Sequence, residues 1–224
     1  MSEVLVCCAD AAELADEALF RRVLAAAPPE RRERAERFRF RKDKQLSLAA
    51  WLLLDTMLRR EGVRSYSLEY GPQGKPALAG RARPQFNLSH SEERVMCAVS
   101  ESEVGCDVER VRDIELGIAR RFFYAGEYSY IMSGPDAAER RERFYRLWTL
   151  KESYMKATGL GMSLPLDGFE VTIGEGIGLR RAGEDRRWHF AEFDLEPGYK
   201  YAVCALSAGI ARPEFISLRR ACGM

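Results

Sequence analysis

Two short segments, far apart in the chain, constrain its fold more than any other feature. Gly105-Cys106-Asp107-Val108-Glu109 closes an apolar stretch, and Trp148-Thr149-Leu150-Lys151-Glu152-Ser153-Tyr154-Met155-Lys156-Ala157 is a helix-favouring run. On a strand, side chains alternate between faces, so Asp107 and Glu109 leave from the same one. On a helix, positions four apart stack, so Glu152 and Lys156 share a face. A fold that turns these two faces toward each other gathers three carboxylates and an ammonium at one point. That set suits a hard divalent cation and a polyphosphate held together, and it suggests transfer chemistry on a phosphate-bearing cofactor. Singly, an Asp-x-Glu at a strand end is an ordinary solvated edge, and a Lys-Glu-x-x-x-Lys helix an ordinary surface face with weak ion pairs. The specific signal is the pairing.

Composition limits the alternatives. With 224 residues, 46% hydrophobic and 31% charged, the chain can bury a substantial core as one large domain or two small ones. A formal net charge of +1 gives no global field for nucleic acid. The start, Met1-Ser2-Glu3-Val4-Leu5-Val6-Cys7-Cys8, has no basic segment and too short an apolar run for a signal peptide. The apolar run at residues 48–54 is far too short for a membrane span, so a cytoplasmic protein is expected. Cys7, Cys8, Cys97, Cys106, Cys204 and Cys222 lack CxxC spacing and read as reduced, mostly buried thiols. His90 and His189 alone leave little for a two-histidine metal site or a serine triad.

Hydrophobic spacing predicts a strand at residues 4–8, a helix at 10–26, a basic helix at 31–41 anchored by Phe38 and Phe40, and a helix at 43–60 ended by Gly62. Strands follow at 66–70, 86–89, 95–100 and 104–109, the last continuing the same sheet. Residues 120–124 and 128–131 flank a loop, residues 137–158 form a helix, and strands return at 169–173, 188–195 and 199–206. A weak repeat lays residues 94–100 over 201–207; the same offset sets Lys44-Gln45 over Lys151-Glu152 and Leu48 over Met155. Chance likeness between buried strands would give the same pattern.

The chain resembles the Sfp-type 4'-phosphopantetheinyl transferases, the larger of two common bacterial forms. The likeness lies in Gly74-Lys75-Pro76, Phe86-Asn87-Leu88-Ser89-His90-Ser91, residues 105–109, Arg121-Phe122-Phe123 through Glu127, and residues 148–161, and it spans residues 29–206. The resemblance implies an α+β fold of two similar α/β halves, residues 1–110 and 111–224, related by a pseudo-twofold axis with the active site at their interface. It implies transfer of the phosphopantetheine arm of coenzyme A to a serine of an acyl or peptidyl carrier protein, with Mg2+, releasing 3',5'-adenosine diphosphate. Asp107, Glu109 and Glu152 would hold the metal, and Lys156 would stabilise phosphate charge. Glu152 stands as ligand, general base or both.

Coenzyme A contacts carry over to Arg31, Arg34, Ser47, Lys75, Pro76, Ser89, His90 and Lys156, with Lys75 in the adenine-side loop and His90 on the 3'-phosphate. Arg31 and Arg34 stand where relatives have lysines; the other reading is a solvated basic face balanced by Glu30, Glu33 and Glu36. Glu127 falls at an acidic position near the metal without an assigned role. Cys106 should point into the core. Arginines interleaved with apolar residues over 110–124 suit carrier docking, or form an ordinary amphipathic connector. A monomer is expected. The rivals are a coenzyme A or nucleotide binder without transferase activity, and a magnesium-dependent phosphohydrolase.

Overall fold

The computed structural model describes residues 3–223; Met1, Ser2 and Met224, which the two expected halves include, lie outside the described residues. In chain order the first elements are β1 (Leu5–Asp10), α1 (Glu17–Ala26), α2 (Pro29–Arg37), α3 (Arg41–Arg60), β2 (Leu68–Tyr70), β3 (Pro76–Leu78), β4 (Gln85–Ser91), β5 (Arg94–Ser100) and β6 (Val104–Arg110). Then come α4 (Gly117–Phe122), α5 (Ala125–Met132), α6 (Ala137–Thr158), β7 (Glu170–Ile173), β8 (Ile177–Arg180), β9 (His189–Phe193), β10 (Tyr199–Ala205), β11 (Glu214–Phe215) and α7 (Leu218–Ala221). The fold is mixed α+β. Among the described residues no helix is long and apolar enough to cross a membrane.

Strand alternation sorts the apolar residues into three cores and so sets the layers. The first sheet runs β11-β1-β5-β4 and the second β6-β10-β9. Cys7, Ala9, Val95, Cys97 and Val99 pack with α3 residues such as Leu53 and Met57, while their neighbours Val6, Cys8, Met96 and Ala98 face the second sheet. There they meet Val104, Cys106, Val108, Tyr201 and Val203. Ala202 and Cys204 of β10 point outward to Leu147, Leu150 and Tyr154 of α6. The order is therefore helix, sheet, sheet, helix. On β6 this alternation leaves Gly105, Asp107 and Glu109 under α6.

Several elements depart from the sequence reading, each for a local reason. The helix expected at 10–26 breaks at Asp16, whose side chain accepts from Ala18 and Leu19 amides and starts α1 afresh after a short 3-10 turn. The basic helix stops at Arg37 because Phe38 and Phe40 are extended. Phe40 is not an anchor, being 61% exposed. Residues 117–132 form two helices instead of flanking a loop.

β6 does not continue the first sheet: it pairs with β10, although the division at 110/111 assigns it to the first half. Its other edge is closed by side chains. Asn87 Oδ1 accepts from the Cys106 amide at 3.0 Å, Ser89 Oγ from Val108 at 3.3 Å and Ser91 Oγ from Arg110 at 3.1 Å. An alternating polar row on β4 thus replaces the ladder that a neighbouring backbone would provide.

Candidate active site

Gly105 decides how closely α6 approaches β6. A Cβ at this position would lie 2.1 Å from the Ser153 carbonyl oxygen and 2.3 Å from the Ala157 amide nitrogen. Only a bare Cα admits the helix at this depth. Contact there brings Glu152 and Lys156 over Asp107 and Glu109.

Asp107 occupies the centre. Its Oδ1 accepts from Lys156 Nζ at 2.5 Å and from Ser89 Oγ at 2.8 Å, and the same ammonium donates to Ser89 Oγ at 3.0 Å. Ser91 Oγ donates to Glu109 Oε2 at 2.8 Å. Burial raises the Asp107 pKa against the pull of Lys156 and Ser89. Burial also raises Glu109, with the Asp107 charge adding to it, and raises Glu152, where Asp107 and then Glu109 contribute against Lys156. The three carboxylates lie in one another's field. For Lys156, burial works downward but the charge and hydrogen bond of Asp107 outweigh it, so the ammonium keeps its proton above the usual lysine range.

Among the described residues no group of three acidic, histidine or cysteine side chains is drawn together tightly enough to hold an ion. Lys156 instead takes one Asp107 oxygen. The other, Oδ2, is buried with no hydrogen-bond partner. An unsatisfied buried carboxylate oxygen is costly. Asp107 Oδ2, Glu109 and Glu152 offer hard oxygen donors of the kind magnesium prefers, so the residues fit such an ion.

A pocket of about 260 Å³ opens on the other face of β4. Leu88 and His90 line it from the strand, Arg31 and Arg34 from α2, Ser47 from α3, Gly74 from the loop before β3 and Pro76 from the start of β3. Five of the sequence-derived coenzyme A positions (Arg31, Arg34, Ser47, Pro76 and His90) therefore share one wall. Ser47 Oγ is buried without a hydrogen-bond partner. Burial, with Arg34 adding to it, lowers the Arg31 pKa, a cost that a bound anion would relieve. Desolvation by the pocket wall, and then Lys156, push His90 downward. His90 and Ser89 leave opposite faces of β4, so a single strand serves both the pocket and the carboxylate cluster.

Two residues lie elsewhere. The Lys75 side chain lines a separate pocket with Ala157, Thr158 and Gly159, and its ammonium is bonded to backbone carbonyls. Glu127 does not join the cluster. It is buried against Lys151, whose ammonium donates to it at 2.6 and 2.9 Å, and it accepts from the Tyr124 and Val171 amides. Cys106 is fully buried between the sheets, and its Sγ donates to Asn87 O at 3.4 Å; burial pushes its pKa up to about 12. Sequence reasoning missed Asn87 and Ser91. Their signal was the small polar residue at every second place of residues 86–91, between Phe86, Leu88 and His90.

Two family models divide the chain. "4'-Phosphopantetheinyl transferase, N-terminal" matches residues 15–102, and "4'-phosphopantetheinyl transferase superfamily" matches residues 103–204. The 4'-phosphopantetheinyl transferase Sfp of Bacillus subtilis (strain 168) is 34% identical over 202 residues, spanning 87% of this chain and 86% of its own length. The transferase ffp of Bacillus subtilis is also 34% identical, with the same coverage. The transferase psf-1 of Bacillus pumilus is 36% identical over 181 residues, spanning 78% of this chain and 77% of its own.

Proposed function

The chain belongs to the 4'-phosphopantetheinyl transferase family, and from that premise we propose that its Asp107–Lys156 cluster transfers the phosphopantetheine arm of coenzyme A to a carrier-protein serine. The observation that carries the site assignment is the packing of α6 on β6 through Gly105, which sets Lys156 on Asp107 with Glu109 and Glu152 beside them.

Arg31, Arg34, Ser47 and His90 would bind the nucleotide phosphates, Pro76 would border the adenine side, and Ser89 would hold Lys156 in register. Asp107, Glu109 and Glu152 would hold Mg2+, which when bound supplies charge neutralisation and orientation for the pyrophosphate. The carrier serine oxygen attacks the β-phosphorus, and 3',5'-adenosine diphosphate departs. Lys156 stabilises charge developing on the phosphate oxygens. Glu152, beside the reacting phosphate, takes the serine proton.

Residues 110–124, with Ile118, Phe122 and Tyr124 exposed among arginines, would receive the carrier. The proposal also takes the chain as two pseudo-twofold halves, 1–110 and 111–224. Supporting this, β5 and β10 are interior strands of similar sequence, each covered by a long helix. Action as a monomer in the cytoplasm belongs to the same reading.

Incubation with coenzyme A, magnesium and an apo-carrier should add the mass of one phosphopantetheine per carrier. No gain with several unrelated carriers would favour a binder, and release of inorganic phosphate would favour a hydrolase.

A further inference from the structure

Lys75 links the two elements that carry the site. Its ammonium donates to Val104 O at 3.1 Å and to Ala157 O at 3.0 Å. Val104 opens β6, which carries Asp107 and Glu109; Ala157 lies in the last turn of α6, beside Lys156. The final carbonyls of a helix have no partner within it and form the negative end of its dipole, so a cation there is favourable. Gly159 ends α6 at a φ of 71°, and a Cβ on it would meet Lys75 Cδ at 3.4 Å; a Cβ on Gly161 would meet Gln73 Cβ at the same distance. The turn before β3 therefore grips the end of the helix.

We propose that Lys75 is a positioning residue for the transfer: by bonding β6 and α6 at once, it fixes the depth at which Glu152 and Lys156 sit over Asp107 and Glu109. This role rests on the function proposed above, and it gives the side chain a task besides the place in the adenine-side loop that the resemblance implies for Lys75.

Burial pushes the Lys75 pKa down to about 8, with the charge of Glu103 opposing it; Glu69, Tyr70, Arg83, Glu101 and Glu103 line the same pocket. The grip should weaken as this ammonium loses its proton.

Steady-state kinetics of Lys75→Met and Lys75→Arg against the wild type, with coenzyme A, apo-carrier and magnesium, separate the roles. Lys75→Met should lower kcat by about 10- to 100-fold and leave KM for coenzyme A within about twofold. Lys75→Arg should restore most of kcat and move the alkaline limb of the pH profile above that of the wild type. A raised KM with unchanged kcat in Lys75→Met, or unchanged kinetics, overturns the proposal. Hydrogen exchange gives an arm independent of turnover. Amides of residues 155–160 should exchange faster in Lys75→Met, and unchanged protection overturns the role. A wild type that transfers nothing would sink the functional reading, and exchange would still decide Lys75.

Discussion

Asp107 is the residue on which the site turns, because its two oxygens have opposite fates. One is claimed by Lys156 and Ser89, and the other is buried without a partner. Removing either member of such a pair leaves an uncompensated charge in a poorly solvated place. Asp107→Ala and Lys156→Ala should each lower turnover roughly 10²-fold or more, as expected when one preorganised stabiliser is lost. Near-wild-type rates for either would refute the assignment.

Glu109 and Glu152 provide a pH test. Their pKa values are raised by burial and by neighbouring carboxylates, so the folded chain holds protons that the unfolded chain has released. Their contribution to stability therefore falls as pH rises through that window. Glu109→Gln and Glu152→Gln should melt higher than the wild type at neutral pH in chelator, and the difference should vanish on acidification below both values. A lower melting temperature at neutral pH would contradict this. The four central residues were legible because strand and helix periods alone fix their faces. The partners of Lys75 and Glu127 were not, since Val104, Ala157 and Lys151 lie far from them in sequence.

At the scale of elements, the contact of α6 with β6 is the decisive one. Gly105→Ala should push the helix outward, reducing turnover more than it reduces binding of coenzyme A to the Arg31–His90 pocket. Measuring kcat and the coenzyme A dissociation constant in this variant checks the separation, and equal losses would contradict it. The helix at 137–158 was readable to the residue, its start set by Asp136 capping the Glu139 amide and its end by Gly159. The short α4 and α5 were hidden because they depend on tertiary burial of Ala119, Glu127 and Ile131 more than on a sustained apolar stripe. The place of β6 was hidden for a related reason. Its apolar alternation shows that one face is covered but not which strand lies beside it.

On the scale of the whole molecule, two sheets meet through an apolar core, and charged residues tie their ends. Arg94 of β5 donates to Glu196 at 2.6 and 2.7 Å, and Tyr201 OH donates to the same carboxylate. The connector from β6 to α5 packs Ala119 and Phe123 into the α6 core and exposes Ile118, Phe122 and Tyr124 among Arg112, Arg120 and Arg121. If, as proposed, the carrier docks there on the arginines, salt should weaken the docking. KM for the carrier should rise with ionic strength, and Arg120→Ala with Arg121→Ala should flatten that rise. A salt-insensitive KM would remove the arginines from the docking surface.

The most direct test of the carboxylate cluster is a manganese titration followed by electron paramagnetic resonance in the presence of coenzyme A. One ion per chain should bind the wild type, and Asp107→Ala and Glu152→Ala should each abolish that site. Undiminished binding in both variants, or none in the wild type, would contradict the account.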